Sequence, residues 1–331
     1  LIDLVAKLPG TRDVQVELCR ESIAWCKAER RTYLRLRIQN RLASLLLEQG
    51  KFSEALSLLQ GLLREVKKLD DKPLLVEVHL IESRAHHALV NLPKARAALT
   101  AARAAANAIY VGPETQAEID IQAGTLSADE KDYRTAFSYF FEAFESYHSL
   151  NDRDRAVEAL KHMLLARIMA GQAEEALGVI NGKHGVAYAG REMEAMRAVA
   201  AAHKDRSLDA FEAVLVEFRD QLDADPLVAA HVGQLREDMT EQHILRVIEP
   251  FECVEIEHVA ELVGLPRVRV EAKLSQLVLD RKLNGTLDQG KGQLILFPAP
   301  ETDEGYEAAL ECIDALNDVV DGLFRRAEGL A

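Results

Sequence analysis

GKFSEALSLL at residues 50–59, VNLPKARAAL at 90–99, KDYRTAFSYF at 131–140 and GQAEEALGVI at 171–180 repeat one frame four times. Each copy holds an alanine at the same place. These are Ala55, Ala95, Ala136 and Ala176, at steps of 40, 41 and 40 residues. A fixed step of this size is the signature of stacked helical hairpins. The alanine sits where the two helices of a hairpin cross, because a small side chain there lets the backbones approach.

Working outward, Leu34, Ile38, Leu42 and Leu45 stand four, four and three apart and predict one apolar helix stripe. Gly50 is placed to end that helix in the left-handed conformation. Phe52 packs into the elbow, and Leu56, Leu59 and Leu63 continue the inner face. The third unit follows the same plan with Gly124, Tyr133, Ala136, Phe140, Ala143 and Phe144. Gly124 and Ala143 fit the small positions of the tetratricopeptide pattern, whose usual period is about 34 residues. A step near 40 therefore predicts longer helices. The fourth unit is weaker, with Ala173 in place of the aromatic and a break at Asn181-Gly182-Lys183.

The pattern changes near residue 250. A short strand is expected at 253–256, a helix ended by Gly264, a second helix over 267–282, then strands at 283–287 and 293–297. Gly290 and Gly292 lie in the turn between the two strands, where positive φ is needed. This order spells a winged helix. The last segment, 302–330, reads as one long helix. Its Ala309, Ile313, Leu316, Val320 and Leu323 step by 4, 3, 4 and 3, a heptad seam offered to helices of other subunits.

The fold class is thus mainly α: a right-handed α-solenoid of tetratricopeptide-like hairpins, a winged helix and a C-terminal helix. The expected divisions are 1–185 for the repeats, 186–300 for the next domain (helical over 186–237, winged helix over 238–300) and 301–331 for the bundle helix. The chain opens at Leu1 inside what reads as a repeat, so earlier repeats are expected upstream.

Composition narrows function. The 331 residues carry a net charge of −14, which argues against a protein whose main work is neutralising phosphates. Residues 238–300 hold ten acids and seven bases, a net of −3, and Arg267 and Arg269 at the head of the third winged-helix segment only weakly suit a major groove. Cys19, Cys26, Cys253 and Cys312 form no zinc-type cluster, and reduced thiols are expected. No HExxH, GxSxG or phosphate-loop spacing occurs, so no catalytic, cofactor or metal residue is assigned. Between residues 27 and 41 six bases face one acid, and Arg31 and Arg35 are candidates for docking an acidic partner. The strand segments supply further interface candidates: Val254, Ile256, Gln293, Leu294 and Ile295.

KLDDKPLLVEVHLIESRAHHALVNLPKARAALTAARAAANAIY (68–110), EKDYRTAFSYFFEAFESYHSLND (130–152) and AGREMEAMRAVAAAHKDRSL (189–208) closely resemble the PCI-domain lid subunits of the 26S proteasome. So do RVIEPFECVEIEHVAELVGLP (246–266) and VEAKLSQLVLDRKLNGTLDQGKGQLILF (270–297). The resemblance implies a non-catalytic scaffold without cofactors, in the cytoplasm and nucleus, acting in ubiquitin-dependent protein degradation. Its implied partners are other PCI-domain lid subunits, the ATPase ring and the core-particle α-ring, with neither nucleic acid nor membrane. The winged helices of such subunits join side by side and their terminal helices gather in a bundle. The alternatives are a scaffold of the COP9 signalosome subunit 2 type and a winged-helix nucleic-acid-binding regulator.

Overall fold

The protein is described by a computed structural model covering residues 12–223, 225–288, 290–297 and 304–328. The contact pattern divides the chain into two compact units, 1–239 and 240–331.

In the first unit, helices α1 (Arg12–Ala28) to α8 (Arg153–Met169) run in antiparallel succession. Between them lie α2 (Thr32–Glu48), α3 (Phe52–Leu69), α4 (Lys72–Ala88), α5 (Leu92–Asn107), α6 (Pro113–Asp129) and α7 (Tyr133–Ser149). Then come α9 (Ala173–Asn181), α10 (Lys183–Ala187), α11 (Arg191–Lys204), α12 (Leu208–Glu217) and α13 (Arg219–Asp223), and α14 (Pro226–Ile248) begins in this unit. Helices of about 17 residues, against the shorter ones of a 34-residue repeat, take up the extra length.

The frame of alanines is the axis of this packing. Ala55, Ala95, Ala136 and Ala176 each have no exposed surface. Gly124 on α6 lies against Phe140 on α7, where an added Cβ would stand 2.6 Å from the ring. The stripe on α2 is shifted from its expected place. Leu42 and Leu45 are buried with Leu36, Ala43 and Leu46, whereas Leu34 is exposed. Aspartates at 71, 132 and 152 cap α4, α7 and α8 by accepting the amide three residues on.

Most helix ends carry a left-handed residue. Gly50 and Gly171 fill that place as glycines, but Arg30, Asp70, Val90, Lys131, Asn151 and Arg206 also hold positive φ. Each such residue costs roughly 1–2 kcal/mol, which the packed hairpins on either side sustain. One apolar core runs from Ala117 to Met239 and crosses residues 185 and 186 without a break.

The second unit holds the rest of α14, then β1 (Cys253–Glu255), α15 (Ile256–Val263), α16 (Arg267–Leu279), β2 (Gly285–Asp288), β3 (Gln293–Leu296) and α17 (Glu304–Glu328). The three strands are antiparallel in the order β1-β3-β2, with Val254 opposite Leu294 and Thr286 opposite Ile295. Its core is Ile244, Ile248, Val254, Ile256, Val259, Val270, Leu274, Leu277 and Leu294. Several expected boundaries move. Ile256 opens a helix rather than closing a strand, α16 ends at Leu279 with Arg281 left-handed, and β2 starts at Gly285 rather than 283. The expected ends of the terminal helix at 302 and 330 lie outside the described residues.

Candidate interaction surfaces

The apolar residues of α17 join no core cluster of the described residues. Tyr306, Leu310, Ile313, Leu316, Val319, Val320, Leu323 and Phe324 are all exposed, Leu316 at 62% and Phe324 at 65%. In heptad terms Tyr306, Ile313 and Val320 take a, and Leu316, Leu323 and the small Ala309 take d. The seam is broader than the five residues first picked out. Leu310 and Phe324 flank it at e, Cys312 and Val319 at g. All seven acids of residues 304–328 fall at b or f, on the opposite face. A two-stranded coil puts charges at e and g. Apolar flanks suit a helix with neighbours on more than one side, as in a bundle.

In the winged helix the structure sorts the candidate residues by depth. Val254, Ile256 and Leu294 are core, at most 4% exposed, so their side chains hold the module together and are not available to a partner. β3 is the middle strand, hydrogen-bonded on both sides, so Gln293, Leu294 and Ile295 offer no backbone edge. Ile295 remains 40% exposed on its face. The sheet's two edges are β1 and β2. On β1 the outward residues are Cys253 and Glu255. The strand order is a tertiary fact that spacing did not disclose.

The two arginines of the basic run differ. Arg35 makes an ion pair with Glu65 and is half-buried, so it closes its own hairpin. Arg31 is exposed and its guanidinium lies 5.4 Å from the centre of the Trp25 ring. The pairing removes Arg35 as a free docking charge. At the head of α16, Arg267 donates to Glu257 at 2.9 Å, which weakens a nucleic-acid reading of that helix.

One polar cluster escaped the sequence. His162 on α8 and Asp225, just before α14, are buried with Nε2 and Oδ2 2.7 Å apart, and Glu158 lies one turn earlier. Residues 63 apart carry no spacing signal; the i,i+4 pair of Glu158 and His162 was the only trace. Three ligand atoms within 4.8 Å are a candidate cation site. Yet tetrahedral ligands about 2 Å from a zinc ion stand roughly 3.3 Å apart. A separation of 2.7 Å is that of a charge-assisted hydrogen bond. Burial alone would raise the Asp225 carboxyl. The His162 hydrogen bond and charge and the Leu227 amide outweigh it and hold the group below its ordinary value. Nearby, His87 Nε2 stands 2.5 Å from Asp129, whose other oxygen is 3.6 Å from His231. These pairs tie α4, α6, α8 and α14 together. No described helix is long and apolar enough to cross a membrane.

Known proteins match the chain along its whole length. Residues 213–298 match the PCI domain, 1–49 the 26S proteasome regulatory subunit RPN6 N-terminal domain, and 302–328 the 26S proteasome subunit RPN6 C-terminal helix domain. The 26S proteasome non-ATPase regulatory subunit 11 homolog of Arabidopsis thaliana is 54% identical over 99% of this chain and 78% of its own length. The Dictyostelium discoideum 26S proteasome non-ATPase regulatory subunit 11 is 48% identical over 100% of this chain and 80% of its own. The Saccharomyces cerevisiae 26S proteasome regulatory subunit RPN6 is 44% identical over 100% and 77%.

Proposed function

The chain belongs to the family of 26S proteasome non-ATPase regulatory subunit 11, and on that premise we propose that it is a non-catalytic scaffold of the regulatory-particle lid. The observation that carries this reading is α17. A helix of 25 residues with a continuous, uncovered apolar seam matches the family's own C-terminal helix domain. Such a helix is stable in water only when its seam is covered. The acids on its far face leave the seam to partner helices.

The edges of β1 and β2 are the second assembly surface, where a neighbouring PCI subunit can extend the sheet by main-chain hydrogen bonds. The hairpins brace the lid against the ATPase ring and the core particle, a task for stacked hairpins with packed apolar cores. The places of action are the cytoplasm and nucleus, and the process is ubiquitin-dependent degradation.

Affinity purification of the chain followed by mass measurement of the intact assembly tests this. The expected result is a large complex containing other PCI-domain subunits, lost when the chain is cut after residue 300. Recovery of the cut chain in the same complex would overturn the role of α17. Recovery in a signalosome would favour the subunit 2 alternative.

A further inference from the structure

The sequence holds two Asn-Gly pairs, Asn181-Gly182 and Asn284-Gly285. An asparagine before glycine is a weak point of any chain. The glycine has no Cβ to restrict its backbone, so its main-chain nitrogen can swing in to the asparagine Cγ and attack it. Whether that happens in a folded protein depends on what holds the nitrogen and the side chain.

The structure tells the two pairs apart. Asn181 is the last residue of α9, and the Gly182 N–H donates to the Val179 carbonyl at 3.1 Å. Asn284 stands just before β2 and is exposed. Its carbonyl accepts from the Phe297 N–H at 2.9 Å, so its main-chain groups face β3. The residues of an edge strand turn their main-chain groups alternately toward and away from the partner strand. The Gly285 N–H therefore points away from β3, and the order β1-β3-β2 makes that side the open edge of the sheet. Gly285 itself is fixed by packing, since an added Cβ would stand 2.7 Å from the Ile295 carbonyl oxygen. The sheet thus keeps a reactive glycine nitrogen on its open edge, behind an exposed asparagine.

We propose that Asn284 is a site of spontaneous deamidation, and that its conversion closes the β2 edge in chains that have not assembled. The Gly285 nitrogen loses its proton to solvent and bonds to Asn284 Cγ. The side-chain nitrogen leaves as ammonia, and a five-membered succinimide ring remains. Water then opens the ring. Breaking the bond to Cγ gives aspartate, and breaking the bond to the main-chain carbonyl gives isoaspartate. The sum is one water consumed and one ammonia released, with no change of oxidation state. Isoaspartate routes the chain through one extra methylene and turns the carbonyl bonded by Phe297 into a carboxylate. A strand pairing with the N–H groups of Gly285 and Leu287 would meet a shifted register and a new charge. This consequence rests on the β2 edge being an assembly surface; the modification does not.

The test ages the whole folded chain near neutral pH and maps its peptides by mass spectrometry, with isoaspartate counted by enzymatic carboxyl methylation. The Asn284 peptide should convert at least about fivefold faster than the Asn181 peptide, the hold of roughly one hydrogen bond on the Gly182 nitrogen. In denaturant the two rates should agree within about twofold, because neither pair is then held. Asn284→Gln, whose longer side chain closes no five-membered ring, should remove most of the isoaspartate. Equal rates in the folded chain, faster loss at Asn181, or undiminished isoaspartate in Asn284→Gln would each overturn the modification. Aged unaltered chain should then enter the lid complex less well than fresh chain, while aged Asn284→Gln should enter as well as fresh. In the purified complex conversion of Asn284 should slow. Equal entry of the aged chain, or an unchanged rate in the complex, would overturn the role of the β2 edge and leave the modification standing.

Discussion

The hairpin helices of residues 32–204 and the terminal helix α17 are written in the same periodicity and end in opposite states. Phe140 and Leu160 are 1% and 0% exposed, because the next hairpin in the chain covers them. Leu316 and Phe324 are 62% and 65% exposed at the same kind of position. A repeat supplies its own neighbour at every step, so its apolar stripe is spent on folding. The apolar residues of α17 join no core cluster of the described residues, so its stripe is open to the assembly role proposed for it. The amphipathic pattern therefore says that a helix will be covered; the position in the chain says by what.

The largest effect expected from this contrast is on assembly. Leu316→Asp with Val320→Asp should abolish incorporation into the complex, since two buried carboxylates cannot be met by an apolar bundle. The same pair should leave the unfolding free energy of the isolated chain within about 0.5 kcal/mol, as exposed substitutions do. Co-purification and chemical denaturation read the two halves. A destabilised monomer would mean that α17 folds back on its own chain.

Phe140→Ala is the converse. The ring is fully buried and packs on Gly124, so about 3–5 kcal/mol of stability should be lost in denaturant titration. Gly124→Ala asks the same contact a finer question. Its methyl would enter the Phe140 ring at 2.6 Å, and overpacking costs about 1–3 kcal/mol. A neutral result would show that α6 and α7 can slide apart, which the regular alanine steps speak against.

Much of this was legible because local rules repeat. The four alanines and Gly124 each mark a close approach that small residues suit, and Gly50 marks a left-handed helix end. The order of helices and strands in the winged helix followed from glycines and apolar runs. What stayed hidden is tertiary. The middle position of β3 depends on which strand returns between which, and it turned Leu294 from an interface candidate into core. The left-handed turns at Arg30, Val90 and Arg206 carry no glycine to announce them. The partnership of His162 with Asp225 joins α8 to the start of α14 across 63 residues, and neither residue belongs to a local motif.

That buried polar group gives the smallest prediction, and it separates the two regions by pH. Burial pushes the His231 imidazole below its ordinary 6.5, aided by His162 and His87 and opposed by Asp129. His203 is pushed down in the same way, by burial and by Arg206, against Asp238. A histidine lowered in the folded state binds fewer protons there than when unfolded. Its contribution is fully present above about pH 6.5 and is lost as pH falls toward the folded value. Asp225, also lowered, acts in a separate window below its ordinary 3.8, and Glu77 and Asp120, raised by burial, act with the opposite sign. The absolute slope therefore mixes several groups, and a variant isolates one of them. Between about pH 7.5 and pH 5.5 the unfolding temperature should fall less for His231→Gln than for the unaltered chain. Parallel curves would show that His231 keeps an ordinary titration in the fold. The exposed α17 presents no buried histidine, so the seam variants should leave this pH dependence unchanged. A seam variant that altered it would erase the division between the two regions.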